Sequence, residues 1–153
     1  MMPVLIFLHL AGVIVWVGGM FFAHYCLRPV AAAQLTPPQR LPLLAGILGR
    51  FFAFVAVAVG VILGSGFAMM VVVGFKNALF HWHIMMGTGL VMAGIFGYIY
   101  GALYPRLTAG VAAADWPAAG AAMDRIRKLV AFNLHLGIVT IAIATLGAYF
   151  WRG

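Results

Sequence analysis

The sequence predicts an all-α fold, a four-helix transmembrane bundle in one domain, 1–153, on three observations. Hydrophobic residues make up 66% of the 153, charged residues only 7%, and mean hydropathy is +1.14. Such a chain has too few polar atoms to coat a water-soluble globule. Four stretches, 1–27, 51–75, 77–105 and 129–151, contain no Lys, Arg, Asp or Glu, and each exceeds the roughly 20 residues that cross a hydrocarbon layer of ~30 Å. The basic residues lie between these stretches, at alternate ends.

The first span, about 3–27, resembles a signal peptide only in its position. It has no basic leading segment, outruns the usual apolar region and lacks a small-x-small cleavage pattern, so it is expected to be retained. Thr36-Pro37-Pro38 breaks the chain after it, and Arg50 stands at the mouth of the second span, 51–75. The third span is expected over about 80–104. Asp115-Trp116-Pro117 reads as a helix start, with Asp as cap and Pro near the first helical position. The fourth span is 129–151; a helix unbroken from Pro117 to Trp151 would be about 50 Å long and project beyond the bilayer.

Seven basic residues, Arg28, Arg40, Arg50, Arg106, Arg125, Arg127 and Lys128, belong to one side, and only Lys76 and Arg152 to the other. The positive-inside rule then puts both long loops in the cytoplasm and both termini outside. The net charge of +7 is thus a topology signal and an attraction to anionic lipid rather than a nucleic-acid surface. One cysteine, Cys26, excludes a disulfide framework. Among the 19 glycines, Gly60 with Gly64 and Gly97 with Gly101 form small-xxx-small pairs suited to helix packing. Gly12, Gly18, Gly19, Gly87 and Gly89, near histidines, also leave room for a flat ligand. Trp82, Tyr149 and Trp151 suit an outer aromatic belt and Tyr25 and Tyr104 an inner one, whereas Trp16 is mid-span and expected to pack.

No carboxylate pair and no nucleophile constellation lies within the spans; the chemistry available is five histidines. His9 on the first span and His83 on the third sit at similar outer depth and can meet, with His81 in the short outer loop. His24 and His135 form a second potential pair near the cytoplasmic side. At 100° and 1.5 Å per residue, His9 and His24 differ by about 60° and about 22 Å, so both can face the interior. Imidazoles on different helices at two depths suit one or two b-type haems. Arg50, Arg125 and Arg127 could neutralise propionates at the cytoplasmic edge. The plainer reading of each histidine is a hydrogen bond to a neighbouring carbonyl or hydroxyl and, for His81, simple solvation. A competing site is soft: Met69, Met70, Met85 and Met86 with His81 and His83 bring thioethers and imidazoles to one outer surface, the ligands that select Cu(I). Methionine is also a common filler of apolar packing.

These residues carry a resemblance. His9 through Trp16-Val17-Gly18-Gly19-Met20-Phe21 to Leu27-Arg28-Pro29 resembles the first helix of copper-resistance D (CopD) membrane proteins. Arg50-Phe51-Phe52, Ser65-Gly66-Phe67, His83 with Met85-Met86-Gly87, Asp115-Trp116-Pro117, Arg125-Ile126-Arg127 and Asn133 extend the likeness over nearly the whole chain. The resemblance implies a bacterial inner membrane, with both termini on its periplasmic side, and copper uptake or tolerance there. His9, Trp16 and Gly18, with Trp82-His83, are also similar to HemJ-type protoporphyrinogen oxidases, which bind haem b. That group carries a Lys where this chain has Ile84, Met85 and Met86.

The functional expectation is a membrane haem b protein, ligated by His9 and His83, that passes electrons between the quinone pool and an outer acceptor such as oxygen species or copper. The alternative is a copper-handling protein using the His/Met site. A third reading is a cofactor-free accessory subunit whose glycine-rich faces serve a homo-oligomer or larger complex.

Overall fold

In the computed structural model, which describes residues 1–150 and their side chains through Gly147, the chain forms four long helices. They are α1 (Met2–Gln34), α2 (Pro37–Val73), α3 (Phe80–Ala112) and α4 (Trp116–Phe150). All four are long and apolar enough to cross a membrane. Lipid offers no partner for an open N–H or C=O, and a helix satisfies both internally.

The helices overrun the charge-free stretches. Helix α2 starts at Pro37 rather than near 51, because Thr36 and Gln39 form a capping box and Pro37 and Pro38 occupy the first turn. Leu41, Leu44 and Ala45 are buried while Arg50 is exposed, so this extension is amphipathic and buries one face. Helix α4 likewise starts at Trp116, with the Ala118 N–H donating to Asp115 Oδ1 at 3.0 Å. Its 35 residues span about 52 Å, well over the thickness of the hydrocarbon.

Three segments are π-helical: Ile14–Gly18 and Phe22–Leu27 in α1, and Ile99–Leu103 in α3. Two of them stop just short of a proline, Pro29 and Pro105. Proline has no N–H for the carbonyl four residues back and its ring crowds that carbonyl, so the wider turn relieves the clash. A π turn also absorbs an extra residue. The angle between His9 and His24 computed at 100° per residue therefore does not hold across α1.

Helix α1 packs chiefly on α2 and α3 on α4, while α2 and α4 touch across the bundle and α1 and α3 take opposite corners without extended contact. Trp16, Met20, Phe52, Val55, Met92, Phe96, Leu103 and Leu134 form the core. Trp16 meets Phe96 edge-on at 6.2 Å, and Phe52 meets Phe96 at 5.9 Å and Tyr104 at 5.5 Å. The Tyr104 hydroxyl donates to the Ala45 carbonyl at 3.2 Å. Trp16 is thus a packing residue, as its mid-span position suggests.

Glycine mediates the close approaches, but not at the expected pairs. Gly60, Gly64, Gly97 and Gly101 have nothing within 4 Å of where a Cβ would stand and face outward. The tight crossings use Gly12 against Ile62 and the Ala58 carbonyl, Gly19 against the Phe51 ring, and Gly110 against Ala119. A Cβ on Gly110 would lie 2.9 Å from the backbone nitrogen of Ala119, which cannot yield without moving a helix. Gly110→Val should therefore part α3 from α4 and cost roughly 2 kcal/mol. The check is a lowered thermal midpoint in detergent for Gly110→Val, with no comparable drop for Gly97→Val.

Candidate functional site

His9 lies partly buried on α1 and faces α2. Its Nδ1 is 3.1 Å from the Ile62 carbonyl and 3.1 Å from Ser65 Oγ, and its ring rests over Gly66. The Ser65 hydroxyl donates to the Val61 carbonyl at 2.6 Å, so its single proton is committed and Oγ faces His9 as an acceptor. A carbonyl also only accepts. Nδ1 therefore carries the proton, and in the neutral ring the lone pair is on Nε2. A hydrogen bond from one ring nitrogen to a carbonyl is how metal-ligating histidines are commonly held.

The second group lies around the six-residue connection 74–79 between α2 and α3. Gly74, at φ +84°, ends α2, and the Asn77 side-chain amide donates to the Val73 carbonyl at 3.3 Å. The connection is too short to hold His81, which the sequence reading assigned to a solvated loop. Instead Leu79 caps α3, the helix starts at Phe80, and His81 is 2% exposed. Met70, at the end of α2, is 3% exposed. Met85 lies four residues after His81, on the same face of α3. Met69, His83 and Met86 are half-buried.

His83 and His9 sit on α3 and α1, the corner helices that make no extended contact with one another. At the basic end, half-buried His24 edges Tyr25 at 4.8 Å between ring centroids and is within electrostatic reach of His135, Arg28 and Arg127. His135 is exposed, with Nδ1 2.6 Å from the Ala131 carbonyl. Arg50 and Arg125 are exposed, and Arg127 pairs with Asp124. Among the described residues no group of three or more His, Cys, Asp or Glu is placed to hold a metal ion, so any site at the outer end draws on thioethers too.

Two cavities lie elsewhere. One of about 50 Å³ lies at the basic end between α1, α2 and α4. The other, about 10 Å³, is central and lined by Trp16, Met20, Phe51, Phe52, Phe96 and Asn133 among others. Asn133 is 1% exposed; its amide N–H donates to the Met92 carbonyl at 3.2 Å, while its Oδ1 has no partner among the described residues. Neither cavity touches His9 or His83.

The family model for copper resistance protein D, CopD, matches residues 45–146, two thirds of the chain, from within α2 to near the end of α4. The chain belongs to the CopD family. Neither the curated proteins nor the solved structures give a match. For this CopD protein the match covers Ser65, Met70, His81, Met85 and Asn133.

Sequence reading alone missed Ser65 as the group that orients His9, and Arg28 as a cavity residue. The signal for Ser65 was a lone hydroxyl mid-helix in an otherwise apolar run. Its partner could be found only once α1 was laid against α2. The tautomer is testable by ¹⁵N NMR of histidine-labelled protein near neutral pH. His9 should give a protonated Nδ1 and an unprotonated Nε2, and Ser65→Ala should perturb this resonance pair more than those of His83 or His135.

Proposed function

We propose that this CopD protein handles copper as Cu(I) in the bacterial inner membrane, in uptake or tolerance, with both termini outside. Seven basic residues at the other end support that orientation. The cargo site is at the outer end, built from Met70, His81 and Met85, with Met69, His83 and Met86 beside it and the Nε2 of His9 available from α1.

The observation that carries this reading is the burial of a methionine and a histidine, Met70 and His81, on either side of one short connection, in a chain of the copper-resistance family. Thioether and imidazole are the ligands that favour Cu(I). Charge supports the same choice. Stretches 51–75 and 77–105 contain no carboxylate, so a bound ion keeps its charge in an apolar setting, and a monovalent ion does so at far lower cost than a divalent one.

The expected haem between His9 and His83 fits the geometry poorly. Neither of the two cavities described above is lined by His9 or His83.

The test is competition for Cu(I) between the purified reduced protein and a chromophoric chelator. Met70→Leu and His81→Ala should each weaken binding at least tenfold, while Zn(II) should compete weakly. Unchanged Cu(I) affinity in both variants, or a haem absorption band from the purified protein, would overturn the proposal.

A further inference from the structure

The cavity at the basic end has a chemistry the copper reading does not use. It lies between α1, α2 and α4, and most of its wall is aliphatic, with Leu27, Leu44, Ile47 and Ile126 among the lining residues. Three polar groups share that lining: His24, Arg28 and Arg127. Arg28 directly follows the charge-free stretch 1–27 and Arg127 shortly precedes 129–151. Both guanidiniums therefore sit at the depth where hydrocarbon gives way to headgroups.

Their charges are unevenly matched. Asp124 is the carboxylate near this mouth, and it is shared between Arg127 and Lys128, the latter at 2.8 Å. Arg28 makes no hydrogen bond or ion pair among the described residues. Three cations thus face one carboxylate, beside a slot whose wall is mostly aliphatic. A guanidinium on each of two helices is suited to gripping the oxygens of a phosphate between them, and basic pockets between transmembrane helices are where anionic headgroups lodge.

We infer that this crevice is a specific site for one anionic phospholipid, with its phosphate between Arg28 and Arg127 and an acyl chain along the aliphatic wall formed by α2 and α4. A zwitterionic lipid brings its own ammonium and gains less from the two arginines. Free phosphate has nothing to place against the wall. The inference is independent of the copper proposal and concerns the opposite end of the bundle.

Native mass spectrometry of the full chain, released from detergent in the presence of defined lipids, tests it. Phosphatidylglycerol should be retained at one molecule per chain and preferred about tenfold over phosphatidylcholine with the same acyl chains. Arg28→Gln and Arg127→Gln should each reduce that preference about fivefold, and Arg28→Lys should keep part of it. Arg106→Gln, which removes an exposed basic residue outside the crevice, should leave it unchanged. Equal retention of the two lipids would overturn the inference, as would an equal loss in Arg106→Gln and Arg28→Gln. So would displacement of the bound lipid by millimolar inorganic phosphate. Circular dichroism of each variant confirms that a lost lipid is not a lost fold; if Arg28→Gln does not fold, Arg28→Lys and Arg127→Gln decide the matter.

Discussion

A helix in lipid gains nothing hydrophobic by leaving lipid for another helix, so this bundle depends on surfaces that fit. The fit is made at a few crossings where glycine lets backbone or ring come close: Gly12 under Ile62, Gly19 under Phe51, Gly110 under Ala119. Between them the aromatic group of Trp16, Phe52, Phe96 and Tyr104 fills the centre in edge-to-face contacts, an arrangement that adds attraction beyond area alone. The outward surface carries large apolar side chains such as Ile14, Phe54 and Phe7, each more than two thirds exposed, where acyl chains are the solvent. The positions of His9 and of the Met70–His81 connection follow from how α1 and α3 are set against α2.

The sequence made the four spans legible because charge is so costly in hydrocarbon that its absence marks them. Helix ends are a different question. Residues 37–50 and 116–128 contain charges and yet are helical, since a helix leaving the membrane can turn those charges to water while burying its other face. The glycine pairs mislead for a related reason: spacing says which residues share a face but not what that face meets. Gly60 and Gly64 do share a face, and it points away from the bundle.

Facing directions were harder still. A 3.6-residue period cannot register the π turns of α1, which rotate everything beyond them, so the placement of His24 had to come from the structure. His9 was legible as a candidate, but its orienting partner Ser65 is 56 residues away in sequence, and contact across helices leaves no local trace. His81 was expected to be solvated because it stands at the very start of the third span; the structure starts α3 at Phe80, as expected, and turns His81 inward, so what the sequence left unread was the direction of the side chain. The family resemblance read from short motifs agrees with the match over residues 45–146.

One feature of α4 has mechanical meaning. The helix is unbroken over its 35 residues, and between Gly120 and Gly137 it contains neither glycine nor proline. Its first turns stand clear of the hydrocarbon, while further along the same rod Asn133 reaches the centre of the bundle. A rod without a joint does not absorb torque. Ala119, Ala122 and Ile126 bury that end against its neighbours, so a tilt imposed on it from the aqueous phase would be carried along the rod to the packing around Asn133.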